Sequence, residues 1–168
     1  MERKIKFRGK ELHSGEWVEG TYFYEDDNHN NPFHYGPHKE KHYIMSWSAC
    51  DWNLGGWSPI EVDPNTVSQF TGMKDKDGNE IYENDILELT IPDGTTRRFV
   101  VKFASENRDL WPLEGFDTEN RSTIRINGWS FVWKGFVLFP SVIDGIPDNE
   151  RMTIIGNTYD NPELLENE

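Results

Sequence analysis

Apolar and polar residues alternate along most of this chain with a period of two, the spacing of a strand with one buried face. In "KIKFRGK" (4–10), Ile5 and Phe7 point one way and Lys4, Lys6 and Arg8 the other. "EWVEGTYFYE" (16–25) sets Val18, Gly20, Tyr22 and Tyr24 against Trp17, Glu19, Thr21 and Phe23, and its aromatic residues suit a pleated surface. "NDILELTI" (84–91) and "RRFVVKF" (97–103) are apolar, β-branched runs joined around Pro92-Asp93-Gly94, a strong turn signal. "WSFVWKGFVLF" (129–139) holds two further runs broken at Lys134-Gly135, and "RMTIIGNTY" (151–159) is a last strand. Short strands punctuated in this way predict a mainly β fold, a small barrel or sandwich.

Helix is scarce. Asn161, Pro162 and Glu163 suit a helical turn or two near the end, as N-cap, first helical residue and acid at the positive pole. Asp63-Pro64 offers a similar start, but residues 66–71 read as extended. Residues 25–42 and 105–123 are polar and read as long loops or insertions within one domain spanning 1–168.

The opening question for chemistry lies in "TGMKDKDGNEIYEND" (71–85), which is acidic and centred on glycine like a calcium loop. An EF-hand loop needs oxygen ligands at positions 1, 3 and 5, glycine at 6 and Glu at 12. With Gly78 at position 6, Met73 and Asn84 fall at 1 and 12. Starting from Asp75 instead puts glycine at 4 and Ile86 at 12. Neither register works. Asp75-Lys76-Asp77-Gly78 suits instead a type I turn closed by a left-handed glycine, with Asp75 accepting backbone N–H groups and Ile81 returning inward. Asn84-Asp85 then makes a second turn.

The formal charge of −13 disfavours nonspecific binding to phosphate backbones and anionic lipid. The basic exceptions are Arg3, Lys4, Lys6 and Arg8 near the start and Arg97, Arg98 and Lys102 in the body; the latter group carries a nucleic-acid alternative. An acidic face also admits imitation of DNA. The lone Cys50 cannot pair within the chain, and no apolar run has membrane-spanning length, so a soluble, cytoplasmic protein is expected.

His29, His34, His38 and His42 fall within fourteen residues. Zinc needs three or four such donors to converge, while Pro32 and Pro37 forbid one helix through all of them. The Glu of "HKEKH" is also misplaced for a metallopeptidase motif. A metal-dependent hydrolase is therefore the enzymatic alternative, against a plain polar loop. Cys50 lies beside Asp51, which raises a thiol pKa; Ser46 and Ser48 lack a nucleophile-elbow setting, and "NLGGWSP" lacks the lysine of a phosphate loop. No catalytic residue, cofactor or metal is expected.

Trp47, Trp52 and Trp57 recur every five residues in "SWSACDWNLGGW". They can cap a small core, stack on sugars or anchor a protein partner, since an indole joins a large flat face to a polar N–H. They are the candidate partner-binding residues. Trp129 and Trp133 share one face of a strand and are expected in the core.

"TGMKDKDGNEIYENDIL" resembles the signature of the YopX family, small proteins of phages and prophages of Gram-positive bacteria. "IKFRGKELHSGEWVEGTYF", "VDPNTVSQFTG" and "IIGNTYDNPELL" are similar to family segments in the same order. The resemblance implies an SH3-like barrel or roll with long polar loops and little helix. It carries no established activity, so no residue role comes with it. The motif residues are turn and strand formers. The expectation is a non-enzymatic binding module with an unknown protein partner, a possible homo-oligomer, touching neither nucleic acid nor membrane.

Overall fold

The computed structural model describes residues 4–26, 40–48, 55–110 and 122–166. The chain divides into two compact units, Met1–Gly72 and Met73–Glu168. Both are built from antiparallel strands in open sheets, as the mainly β expectation requires.

In the first unit the strands are β1 (Phe7–Lys10), β2 (Trp17–Asp26), β3 (Glu40–Ser48), β4 (Gly56–Glu61) and β5 (Ser68–Lys74), which continues into the second unit. Their order is β4-β3-β2-β1-β5. Strand β2 serves two neighbours in succession. Residues 17–20 pair with β1, and residues 21–26 pair with β3. The change falls at Gly20, where a Cβ would overlap the Met45 carbonyl, so only glycine fits the close approach. Ile44, Val62 and Phe70 are buried, with Gly9 against Ile44 and Val62. A 3₁₀ turn at Pro64–Thr66 precedes β5, and the Asp63 carboxylate caps it by accepting from the Asn65 N–H. Buried Thr66 accepts from the Lys10 N–H and donates to the Asp63 carbonyl, leaving its hydroxyl satisfied.

The second unit holds β6 (Glu80–Tyr82), β7 (Asp85–Thr90), β8 (Thr96–Leu110), β9 (Ser122–Trp133), β10 (Phe136–Leu138), β11 (Val142–Ile143), β12 (Ile146–Pro147) and β13 (Thr153–Asn157). Five of these form a sheet in the order β10-β9-β8-β7-β13. Its core gathers Ile81, Leu87, Phe99, Val101, Phe131 and Met152, with Met73, Leu89, Trp129, Trp133 and Ile154 packed around them. Trp129 and Trp133, expected in the core, are partly buried against it. Lys134 and Gly135 both take positive φ, 46° and 83°, which gives the tight β9–β10 turn the twist its strands need. Pro92-Asp93-Gly94 closes β7–β8 as expected, with the Thr95 N–H donating to the Asp93 carboxylate. Near the chain's end Pro162–Leu165 is a single 3₁₀ turn after Asn161, which makes no side-chain cap. No helix among the described residues is long and apolar enough to cross a membrane.

Two polar stretches differ from expectation at their ends, while residues 27–39 and 111–121 lie outside the described residues. Residues 25–42 read as loop, yet β2 continues to Asp26 and β3 begins at Glu40. Residues 105–123 read likewise, yet β8 and β9 pair out to Leu110 and Ser122. Backbone hydrogen bonds define these ribbon ends, and backbone bonding leaves no hydrophobic period in the sequence.

Candidate functional site

Strands β2, β3 and β4 present one outward face whose residues follow from the register. Phe23 lies opposite Tyr43 and Tyr43 opposite Glu61; Thr21, Met45 and Pro59 form the next row; Trp47 lies opposite Trp57. Side chains directly across a ladder share a face, so these rows build one aromatic surface. The Trp47 and Trp57 rings meet edge to face, 5.6 Å apart at 74°, while Phe23 and Tyr43 stack 5.1 Å apart at 18°. Trp47 is 56% exposed and Trp57 61%. The structure therefore brings two of the three candidate tryptophans together; Trp52 lies outside the described residues. At the Phe23 end an open groove of about 460 Å³ is lined by Phe23, Tyr24, Glu25, Tyr43 and Pro59.

The sequence reading missed Phe23, Tyr43, Met45 and Pro59 as parts of this face. Their signal was present, since Tyr43, Met45 and Trp47 alternate with Ile44 and Ser46. The polar stretch before them and the glycines after them masked it.

His42 belongs to β3, not to a loop. Its Nδ1 is hydrogen-bonded to the Tyr22 hydroxyl at 2.7 Å, and its Nε2 lies 3.7 Å from the Glu40 carboxylate. The ring also stacks on Tyr22 and Tyr24. Burial, then Glu40 and Tyr24, push the Tyr22 phenol above its usual pKa. Both nitrogens of His42 thus face partners within the sheet. His29, His34 and His38 lie outside the described residues, as does Cys50. Among the described residues no three His, Cys, Asp or Glu side chains gather to hold a metal ion.

The 75–78 segment is a turn, and its carboxylate is fully engaged. Asp75 accepts from the Asp77 N–H at 3.0 Å, the Asn79 N–H at 2.8 Å, the Asn79 side-chain amide at 3.1 Å and the Ile154 N–H at 3.2 Å. Gly78 takes φ 86°, which a Cβ would strain. Burial opposes ionisation of Asp75, but the Asn79 side chain and the backbone donors of Ile154, Asn79 and Asp77 outweigh it and hold the carboxyl below its ordinary value. Those bonds fold the hairpin and pin it to β13. Asp85 does similar work, accepting from the Tyr82 N–H at 2.8 Å. Asn84, at φ 66°, donates its N–H to the Val101 carbonyl and its side-chain amide to the Tyr159 hydroxyl.

Arg97, Arg98 and Lys102 do not form one patch. Arg97 lies 4.9 Å over the Trp133 ring, on the core side, whereas Arg98 pairs with Glu88 on the other face and donates to the Leu164 carbonyl. Lys102 shares the parity of Arg98 and lies near Glu83, whose carboxyl burial pushes up despite Lys102 and the Phe103 N–H.

The family model described as YopX protein matches residues 6–166. The chain belongs to the YopX family. The match covers both units and confirms the resemblance seen in the signature. No curated protein matches the chain. In this YopX family member the signature residues Asp75, Gly78, Ile81, Asn84 and Asp85 are occupied with turns, core and cross-links, so the motif marks architecture, while the aromatic face lies outside it.

Proposed function

We propose that this protein is a non-enzymatic binding module that docks a protein partner on the outward face of β2, β3 and β4. The observation that carries the reading is the Trp47–Trp57 pair, two large indoles side by side with more than half of each surface in water. Exposed aromatic residues set in contiguous apolar surface are the usual anchors of protein interfaces. Met45 and Pro59 fill the space between them and the Phe23–Tyr43 stack, which makes the surface continuous. The polar candidates for chemistry support the same reading from the other side. Asp75 and His42, the two most chemically suggestive groups, are engaged in holding strands together.

The family resemblance supplies the setting: a phage or prophage protein of a bacterial cytoplasm, on an SH3-like frame. Affinity capture of the tagged protein from lysogenic cells tests the docking role. The expected result is one stoichiometric protein that the double variant Trp47→Ala/Trp57→Ala loses and Phe136→Ala, altered at an exposed aromatic of the other unit, retains. Retention by the tryptophan variant removes the face from the interaction. A concentration-dependent dimer broken by the same variant makes the partner a second copy. Tightly held zinc or nickel in the purified protein would return the metal-hydrolase alternative.

A further inference from the structure

The groove at the Phe23 end of the docking face has a composition that selects its occupant. It is lined by Phe23, Tyr24, Glu25, Tyr43 and Pro59; by the strand's alternation the Phe23 and Tyr43 rings and the Glu25 carboxylate share its face, whereas Tyr24 takes the opposite parity. Phe23 and Tyr43 are nearly parallel, 18° apart. Tyr24 is 60% exposed, and its ring packs against His42 at 6.2 Å. Among the described residues no basic side chain lines the groove. Aromatic faces carry negative potential, so several rings beside one carboxylate form a site for an organic cation. The overall charge of −13 draws cations to it.

We propose that this groove receives an arginine side chain of the protein partner, its guanidinium lying on the Phe23–Tyr43 rings and hydrogen-bonded to Glu25. The inference rests on the docking reading given above and names the chemistry that the partner must present. A planar guanidinium stacks on aromatic faces and offers paired N–H donors to a carboxylate, which a compact ammonium cannot do at once. The chain uses this preference internally. Arg8 lies 4.7 Å from the Trp17 ring centroid and Lys10 5.6 Å; Arg97 lies 4.9 Å from Trp133 and Lys134 5.4 Å. In both cases the guanidinium sits closer than the ammonium. One neighbouring charge opposes the proposal. Lys41 stands directly across from Glu25 in the ladder and competes for its carboxylate, while Glu61, opposite Tyr43, adds negative charge on the same face.

The test is an NMR titration of the full chain with a capped Gly-Arg-Gly peptide, its citrulline counterpart and its lysine counterpart. Citrulline keeps the shape of arginine and lacks the charge. Shifts should centre on Phe23, Tyr24, Glu25 and Tyr43, with the citrulline peptide weaker by about tenfold and the lysine peptide intermediate. Glu25→Gln should weaken the arginine peptide several-fold, and Lys41→Ala should strengthen it. Both side chains are exposed, so an unchanged melting temperature checks that the variants fold. Equal binding of arginine and citrulline peptides, tighter binding of lysine, shifts elsewhere or no binding would each overturn the proposal. If the peptides fail while Trp47→Ala/Trp57→Ala still loses a captured partner, the groove falls and the docking face stands. If the peptide binds as expected while that variant keeps its partner, the docking reading falls and the cation site stands alone.

Discussion

Each unit carries a pair of large aromatic rings on adjacent strands, and the two pairs have opposite fates. Trp47 and Trp57 meet 5.6 Å apart at 74°; Phe99 and Phe131 meet 6.4 Å apart at 63°. The geometry is the same edge-to-face contact. Yet Phe99 and Phe131 are 3% and 1% exposed, against more than half for the tryptophans. Ring pairing is therefore a local matter, settled by strand register, whereas burial depends on what covers the face. Phe99 and Phe131 are packed into one core with Ile81, Leu87, Val101 and Met152. The difference separates residues that hold the fold from residues available to another molecule.

The sharpest test of that separation is to truncate one ring from each pair. Phe131→Ala should cost about 3–5 kcal/mol in urea unfolding, the usual penalty for emptying a packed core. The separation breaks if Trp57→Ala costs as much. Next in size comes the anchor of the 75–78 hairpin. Asp75→Asn should cost about 1–3 kcal/mol at neutral pH, because a buried carboxylate with four donors loses its charge-assisted bonds. Its pKa is lower in the folded than in the unfolded state, so its contribution is complete above the unfolded value of about 3.9 and fades as pH falls through the folded one. Unfolding curves for the two proteins should therefore converge in acid. A gap that stays constant with pH would show that the bonds do not depend on ionisation.

Trp57→Ala itself should cost no more than about 1 kcal/mol, the worth of an exposed aromatic pair, while abolishing partner capture. The smallest effect has the opposite sign. Burial raises the Glu83 pKa in the folded state, so ionising it as pH rises works against folding. Glu83→Gln should gain a few tenths of a kcal/mol at pH 7, the gain shrinking as pH falls through the raised folded value and gone below the unfolded value of about 4.3. A loss at pH 7 would mean that attraction to Lys102 outweighs burial.

How much of this was legible depended on where the core lies. Strand β8 stood out because it buries the alternating Phe99 and Val101, and β7 and the inward Ile81 because they carry apolar residues, Ile86, Leu87 and Ile81, that the core takes in. The turns at 75–78 and 92–94 were readable because their geometry demands aspartate and glycine. The outer halves of β8 and β9 were hidden. Ser105, Glu106, Asn107, Arg108 and Asp109 pair with β9 through their backbones, with no apolar face to announce a strand. At the candidate site, Trp47 and Trp57 were visible as residue types, but their adjacency needed the β3–β4 register, which no local pattern specifies.

Gly20 gives the first unit a marker that can be sought in any homologous chain. Where β2 passes from one neighbour to the next there is no volume for even a methyl group, so alanine at that site would force the ribbon to open or the hand-over to move. A relative lacking glycine there should lack the crossing, and its tryptophans would be free to point elsewhere. One position thus reports whether the outward platform has been inherited intact.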